Sequence, residues 1–568
     1  MNSRTIALAT LLLTSTLFAK PTYLPPLELK SKASNDVQAF LNGEKLTADT
    51  VIKKSSARDI LGRIKKSSNN GKNEAYYVMR PQRTLDVHIS PIQASREIQP
   101  VSGRFEINAN GEKKYWLDGN RISEEDYFRN VENRREEFVP EQQYQASLTA
   151  SEIEALLNGP DPVFIDIVRE PIFDYYTDYT VIFGYSEITS HAHSNGYKGQ
   201  GIGIYFDEYG CSNPVGYNSG YYVLVNTCTH GYQMHPTAVA TTLSKTAPMA
   251  TLYAQDGSGA GNLSNLNMDA YNPSIEISSH SWHYSTNGVY SSYDKIFDNY
   301  IYNNGLISFV ASGNIKDDDT TTLVGSPGLA LNTIAVGAID PSNNNFASYS
   351  KWRNSNVGNQ KPEMGNYAEF LFPVSIDIWN GKFAGTSAST PYSAAMIADL
   401  LSQQDFYKRH PELVKALIIS GEKIPIGNAY TYDADNYSKA ARGIIRASSI
   451  IWNHRLAYWS GSNSCCFDNN NKITFTESGI SSGVHYRIAI AWLTSGDYVI
   501  SNNTISQDID LRVYQNGVLL DASISAQNPF EVVDFTTISS SDLTVEIHRY
   551  ANSGSDNVIL GYSFWNDL

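Results

Sequence analysis

The chain has 568 residues, which suggests several domains, and 41% of them are hydrophobic against 18% charged, which excludes a disordered protein. The formal net charge is −15. Because binding to phosphates requires a basic surface, this charge argues against a nucleic-acid-binding protein.

The first 19 residues have the layout of a secretory signal peptide. Arg4 precedes an apolar stretch that runs from Ile6 to Phe18, and the small residue Ala19 ends it. The stretch is short for a membrane span, and no later apolar run approaches the roughly 18 residues that a span needs. We therefore predict a secreted protein, periplasmic or extracellular, whose mature form has no transmembrane anchor.

Residues 20–180 are predicted to form a separate α+β domain ahead of the main body. Residues 20–150 carry 21 Lys and Arg against 18 Asp and Glu, whereas residues 151–568 carry 21 against 40. The leading segment is therefore nearly neutral and the rest of the chain is acidic, which fits a segment that binds the rest of the chain as an intramolecular partner. The sequence predicts a hairpin and a capped helix within 102–130. Near its end, at 148–168, Thr149 or Ser151 caps a helix, and an apolar strand follows.

Residues 181–454 alternate between short apolar strands and helices. This pattern is typical of an α/β domain with a parallel sheet and helices on both faces. The predicted strands lie at 201–207, 273–279, 305–312 and 331–339, and the helices at 236–244, 293–303, 387–402 and 410–419.

Residues 455–568 lose the helical pattern and show period-two strands separated by Asn, Ser, Gly and Asp. Asn516-Gly517 is a strong hairpin signal. We predict a separate, all-β sandwich domain here.

The four cysteines fall into two pairs. An exported chain tends to oxidise its thiols, and Cys211 with Cys228 is the plausible disulfide. The adjacent Cys465 and Cys466 are left open between a vicinal disulfide, free thiols and other partners. Zinc is not expected, because neither pair has a second pair at ligand spacing.

Four polar residues stand at strand ends and helix starts of the α/β region. Ser387 begins a helix, where the dipole and the unpaired N–H groups stabilise negative charge. Asp207 ends an apolar strand, His235 starts a helix, and Asn314 follows another strand. A nucleophile, a base, an acid and an amide donor are the groups that acyl transfer requires.

From about residue 195 to 450 the sequence resembles the subtilisin-like serine peptidases. GTSASTP around Ser387 resembles the family's GTSMATP, and HPTAVATTL, which begins at His235, resembles HGTHVAGTI. IGIYFDEYG is similar to the VAVIDTG strand, with Asp207 taken as the acid, and VASGN resembles AAGN, with Asn314 as its last residue.

The resemblance implies an endopeptidase that works through a covalent acyl-enzyme. Ser387 is then the nucleophile, His235 the base and Asp207 the residue that orients the base; Asn314 is the oxyanion donor. Ser281, Trp282 and His283 resemble the family's substrate-binding strand. Three residues depart from the family pattern: Glu208 replaces a threonine, Pro236 replaces a glycine after the histidine, and His283 replaces a cleft glycine.

The resemblance also implies partners. They are a protein or peptide substrate and the chain's own propeptide, acting as intramolecular inhibitor and folding aid, with self-processing between about 167 and 195. No cofactor is required for the chemistry. Structural calcium is a family expectation, with Asp317, Asp318 and Asp319, or Asp508 and Asp510, as oxygen ligands, and no metal site is assigned.

Two other functions are compatible with the sequence. One is a catalytically inactive relative that kept the fold as a binding protein. The other is a surface adhesin that acts through the C-terminal β-sandwich.

Overall fold

The computed structural model describes fifteen segments of the chain. They are residues 32–42, 84–92, 98–107, 112–132, 144–168, 172–173, 192–213, 221–316, 321–340, 345–352, 359–371, 382–421, 423–424, 444–445 and 454–566. The predicted signal peptide, most of the predicted processing region and Asp317–Asp319 lie outside them. The chain divides into two compact units.

The helices and strands of the described residues are numbered in chain order. The helices are α1 (Asn35–Leu41), α2 (Glu124–Glu132), α3 (Ala150–Leu157), α4 (Met234–Thr246), α5 (Ala260–Ser264), α6 (Ser292–Asn304), α7 (Thr386–Gln403), α8 (Pro411–Ser420) and α9 (Gly496–Asn502). The strands are β1 (Lys32–Ala33), β2 (Thr84–Pro91), β3 (Val101–Ile107), β4 (Lys113–Leu117), β5 (Asn120–Ile122), β6 (Tyr144–Thr149), β7 (Val163–Ile167), β8 (Ile172–Phe173), β9 (Gly203–Glu208), β10 (Cys211–Ser212), β11 (Tyr222–Leu224), β12 (Tyr232–Gln233), β13 (Thr251–Asp256), β14 (Ile275–His280), β15 (Trp282–His283), β16 (Ile307–Ala311), β17 (Ile334–Asp340), β18 (Asn345–Phe346), β19 (Met364–Tyr367), β20 (Glu369–Leu371), β21 (Lys382–Ala384), β22 (Lys423–Ile424), β23 (Ile444–Ile445), β24 (His454–Gly461), β25 (Lys472–Glu477), β26 (His485–Trp492), β27 (Gln507–Gln515), β28 (Val518–Ser523), β29 (Phe530–Thr536), β30 (Leu543–Asn552) and β31 (Val558–Asn566).

The smaller unit, whose described part lies within 28–93 and 142–170, is a four-stranded sheet with two helices. The strand order is β1-β7-β2-β6, and only β1 and β7 run parallel. Thr149 caps α3 in a reciprocal arrangement: Glu152 N donates to its hydroxyl, and its own N–H donates to the Glu152 carboxylate. The core of this unit includes the fully buried Val87, Ile153 and Ile165.

The larger unit is built around a mostly parallel sheet in the order β11-β13-β9-β14-β16-β17-β18, with β19 also paired to β17. Every pairing in it is parallel except that of β17 with β18. One apolar cluster joins Ile204 of β9 to residues of α4 and α7, and a second joins Tyr205 to α6. Helices therefore cover both faces of the sheet, and the predicted α/β class is confirmed.

The C-terminal residues form two antiparallel sheets that face each other. One has the order β29-β26-β31-β24-β3-β4-β5 and the other β25-β30-β27-β28. Phe475 of the second sheet packs edge-on against Tyr562 of the first, with ring centroids 5.0 Å apart. The predicted hairpin at Asn516-Gly517 joins β27 to β28.

The first of these sheets contains a segment that was expected in the leading domain. Strands β3–β5 and helix α2 belong to the larger unit, and β3 pairs along its length with β24. Phe105 stacks on Phe406 at 5.2 Å, and Arg104 lies 3.0 Å from the buried carboxylate of Glu477. The block 20–180 is thus not one unit, because β3 buries its apolar face against the body of the protein.

The sandwich is likewise not separate from the α/β region. Ala416 and Ile419 of α8 share an apolar cluster with Ala489, Ala491 and Phe530 of the sandwich. The predicted boundary at 455 therefore crosses a continuous core.

Candidate active site

The last two residues of β9, Asp207 and Glu208, have their carboxylates on opposite faces of the sheet. Ile204 and Phe206 belong to the cluster under α4 and α7, whereas Tyr205 belongs to the cluster under α6. Because side chains alternate along a strand, Glu208 continues the row of Phe206, and Asp207 continues the row of Tyr205. Only Glu208 is therefore on the face that carries His235.

His235 is the second residue of α4, and its imidazole meets Glu208. Nδ1 of His235 lies 2.9 Å from Oε2 of Glu208, and the carboxylate is fully buried. Burial raises the pKa of Glu208 above its ordinary value, and the charge of the adjacent imidazole opposes that rise. The prediction that Asp207 orients His235 is wrong, because the alternation of the strand turns Asp207 away.

One feature of the sequence indicates Glu208 rather than Asp207. In the family pattern VAVIDTG, one residue separates the acid from the glycine. Glu208 has that spacing to Gly210, with only Tyr209 between them, whereas two residues separate Asp207 from Gly210. The distance of the acid from the glycine, and not its identity as aspartate, therefore indicates the carboxylate that contacts His235.

Asp207 instead fixes the neighbouring strand from the other face. Its carboxylate lies 2.6 Å from His280 Nδ1 and accepts hydrogen bonds from Trp282 Nε1 at 3.1 Å and Asn262 Nδ2 at 2.9 Å. His280 ends β14 and Trp282 begins β15. Asp207 therefore holds in place the strand that was predicted to bind substrate.

Ser387 lies in the first turn of α7, after Gly385, whose φ of 104° suits glycine. Its hydroxyl donates to the carbonyl of Ser281 at 3.0 Å, and the Ser281 hydroxyl donates to the carbonyl of Ser387 at 3.0 Å. Helices α4 and α7 pack side by side. His235 and Ser387 therefore lie at the starts of two adjacent helices, at the same edge of the sheet. Phe383, four residues before Ser387, packs edge-on against the His235 ring at 5.8 Å.

Asn314 follows β16 at the same sheet edge and is held by Thr386, the residue before Ser387. Its Oδ1 accepts from the Thr386 N–H at 3.1 Å and from the Thr386 hydroxyl at 3.2 Å. A backbone N–H only donates, so the oxygen of the amide faces Thr386 and the NH2 group is turned away from it.

The predicted substrate strand is paired with part of the chain itself. Trp282 lies opposite Phe173 and His283 opposite Ile172 in the antiparallel pair β15–β8. The side chains of Trp282 and His283 are fully buried. The strand therefore offers its backbone to an extended partner.

The predicted disulfide partners Cys211 and Cys228 are joined, and so are Cys465 and Cys466. Among the described residues, the only group of three metal-ligand side chains within reach of one ion is Cys211, Cys228 and Asp256, and its thiols form the disulfide. Asp510, one of the two calcium candidates in the sandwich, instead pairs with Arg512 at 2.8 Å.

No helix in the described part of the chain is long and apolar enough to cross a membrane.

A sequence model of the subtilase family (peptidase family S8) matches residues 207–485. Subtilisin NAT of Bacillus subtilis subsp. natto is 27% identical over 318 residues, which cover 50% of this chain and 77% of that protein. Subtilisin E of Bacillus subtilis (strain 168) is 26% identical over the same coverage. Among solved structures, fervidolysin from Fervidobacterium pennivorans, a keratinolytic enzyme related to subtilisin, matches 79% of this chain and 70% of its own at 12% identity, with a TM-score of 0.41.

Proposed function

Because the chain belongs to the subtilase family, we propose that it is a serine endopeptidase with the triad Glu208, His235 and Ser387. The observation that carries the proposal is the 2.9 Å contact between Glu208 and His235 beside the helix that begins at Ser387. This contact turns His235 Nε2 away from the carboxylate, which is the orientation a general base needs.

The reaction begins with the Ser387 hydroxyl, which rests against the Ser281 carbonyl. The hydroxyl rotates toward His235, gives its proton to Nε2, and attacks the scissile carbonyl carbon. Glu208 accepts the hydrogen bond from Nδ1–H, fixes the tautomer and stabilises the imidazolium. His235 then protonates the leaving amine, and a water molecule hydrolyses the acyl-enzyme by the same route.

Two donors stabilise the tetrahedral oxyanion. One is the Ser387 backbone N–H at the N-terminus of α7, and the other is the NH2 group of Asn314. Thr386 supports both, because it precedes Ser387 in α7 and holds the amide oxygen of Asn314.

The protein is further proposed to be made as an exported, self-processed precursor. The smaller unit ends at about residue 170, and β8 follows it in the sequence. The antiparallel pairing of β8 with β15 is the arrangement an extended substrate adopts on an enzyme strand. The apolar leader at 1–19 supports export.

Labelling with a fluorophosphonate probe tests the proposal. The wild type is expected to label once it is processed, and Ser387→Ala is expected neither to label nor to shorten itself. Asp207→Asn is the matched control, since it removes the neighbouring charge on the other face of the sheet and should still label. Absence of labelling in processed wild type, or equal labelling of Ser387→Ala, contradicts the function and favours the inactive binding protein or the adhesin.

A further inference from the structure

The carboxylate of Asp207 and the imidazole of His280 form a buried pair on the face of β9 opposite to Glu208. Oδ1 of Asp207 lies 2.6 Å from Nδ1 of His280, and both side chains are 1% exposed. Trp282 Nε1 donates to the same oxygen at 3.1 Å. Because a carboxylate oxygen accepts and does not donate, the imidazole proton in this contact belongs to Nδ1.

The other oxygen of Asp207 holds the carboxylate in place. Oδ2 accepts from the Gly259 N–H at 3.2 Å and from Asn262 Nδ2 at 2.9 Å, both at the N-terminal end of α5. The carboxylate therefore cannot follow a movement of β14 or β15 without losing these bonds.

The second nitrogen of His280 indicates why a histidine is present. Among the described residues, Nε2 has no hydrogen-bond partner, although it is buried. The ring packs edge-on against Phe297 at 4.8 Å and against Trp282 at 5.6 Å. An unpaired nitrogen in such surroundings costs free energy of folding, and an apolar side chain of similar size would avoid that cost. The bond from Nδ1 to Asp207 is the interaction that an apolar side chain could not replace.

The two residues that bind Asp207 Oδ1 are those on either side of Ser281. Ser281 exchanges two hydrogen bonds with Ser387, each 3.0 Å long. These bonds fix one point of the strand next to the nucleophile. The bonds of His280 and Trp282 to Asp207 then fix the direction in which β15 runs away from that point.

The register of β8 on β15 shows which substrate residues depend on that direction. Phe173 lies opposite Trp282, and Ile172 lies opposite His283. A substrate in the same antiparallel register has the residues that precede its scissile bond along β15, and its next residue reaches Ser387. Binding energy from such remote residues is used to orient the reacting bond, so a misaligned strand lowers kcat/KM for extended substrates.

We infer that Asp207 and His280 are positioning residues that let this peptidase use the substrate residues preceding the scissile bond. Their bond aligns β15 with the nucleophile. Hydrolysis of an extended peptide therefore depends on the bond, whereas a substrate that reaches only Ser387 gains nothing from it. The inference rests on the proposed peptidase function and adds two residues that act through the substrate strand.

Two substrates test this role: a fluorogenic peptide with four residues before the scissile bond, and a nitrophenyl ester of one acylated amino acid. In the processed full chain, His280→Leu is expected to lower kcat/KM by at least about tenfold on the peptide and by less than about threefold on the ester. His280→Asn has an amide nitrogen that donates in place of Nδ1, so it should restore the peptide rate to within about threefold of wild type. Rates are normalised to sites titrated with the fluorophosphonate probe.

Phe297→Leu is the matched control, because it removes packing against the His280 ring and leaves the bonds to Asp207 in place. It should lower the melting temperature and leave the ratio of the peptide and ester rates unchanged. Where His280→Leu does not fold, Trp282→Phe removes the other donor to Asp207 Oδ1 and keeps an aromatic ring. That variant should lower the peptide rate and spare the ester rate.

The outcomes separate this role from the peptidase function. Probe labelling at Ser387 together with equal losses on the two substrates in His280→Leu, or with no loss on either, overturns the positioning role and leaves the peptidase standing. A similar change of the rate ratio in Phe297→Leu also overturns it, because loosened packing alone would then be the cause. Absence of both labelling and cleavage in the wild type removes the peptidase function and the positioning role together.

Discussion

Glu208 Oε2 lies 2.9 Å from His235 Nδ1, while the carboxylate of the preceding residue, Asp207, lies 2.6 Å from His280 Nδ1 on the other face of the sheet. The two acids are covalent neighbours, yet each serves a different histidine. Substituting one at a time therefore separates catalysis from support of the substrate strand.

Glu208→Gln is expected to lower kcat by roughly 10⁴-fold, because an amide holds the imidazole in the wrong tautomer and cannot stabilise its cation. Asp207→Asn should lower kcat far less and should instead reduce thermal stability, since Asp207 accepts hydrogen bonds from Trp282 and Asn262. Steady-state kinetics, normalised to probe-titrated sites, measure the first effect. A larger kinetic loss in Asp207→Asn than in Glu208→Gln would reverse the assignment.

Asn314→Leu is expected to lower kcat by roughly 10²- to 10³-fold with little change in KM, because the lost donor acts on the oxyanion and not on the bound substrate. Thr386→Val keeps the backbone N–H that holds Asn314 and removes only the hydroxyl. It should therefore cost less than about tenfold in kcat. Equal losses in the two variants would mean that Asn314 acts through Thr386 alone.

The carboxyl group of Asp294, in the first turn of α6, is expected to make the free energy of unfolding decrease as pH rises. Burial raises its pKa to about 7, above the ordinary 3.8, so the folded chain holds a proton that the unfolded chain releases. The stability from this group is fully present below pH 3.8 and falls as pH rises to about 7, by on the order of 4 kcal/mol at most.

Urea unfolding between pH 4 and 8, in the Ser387→Ala background to prevent autolysis, measures that dependence. Asp294→Asn does not titrate, so its stability should fall less steeply over this range than that of its parent. Parallel curves for the two proteins would show that Asp294 does not take up this proton.

The segment that contains β3–β5 is expected to stay with the processed enzyme. Phe105 is buried in the same cluster as Phe406 and Tyr458. Native purification should recover a fragment containing residues 98–132 bound to the body, and denaturant should release it. Phe105→Ala should destabilise the protein by about 3–5 kcal/mol. A processed body that lacks the fragment and melts at the same temperature would contradict this.

The sequence is sufficient to predict those helices, strands and turns that depend on a local pattern of residues. The strands and helices of the α/β region, the Thr149 cap and the Asn516-Gly517 hairpin follow from periodicity and turn chemistry, and the structure contains each of them. The sequence predicts that His235 and Ser387 each lie at the start of a helix, and both do.

Three predictions are wrong: the role of Asp207, the single unit at 20–180 and the domain boundary at 455. Asp207 and Glu208 lie on opposite faces of β9, and in the sequence the spacing to Gly210 is the feature that distinguishes them. The attachment of β3 to β24 depends on pairing between residues that are far apart in sequence, Ile107 with His454 among them. No local sequence pattern predicts such a pairing.

That pairing also sets the order in which the chain reaches its final form. β3 is synthesised long before its partner β24 and the next strand in the sheet, β31. Contacts so distant in sequence close slowly, because the entropy of a very long loop is lost before they form. The larger unit therefore cannot complete its core until β24 and β31 have both been synthesised.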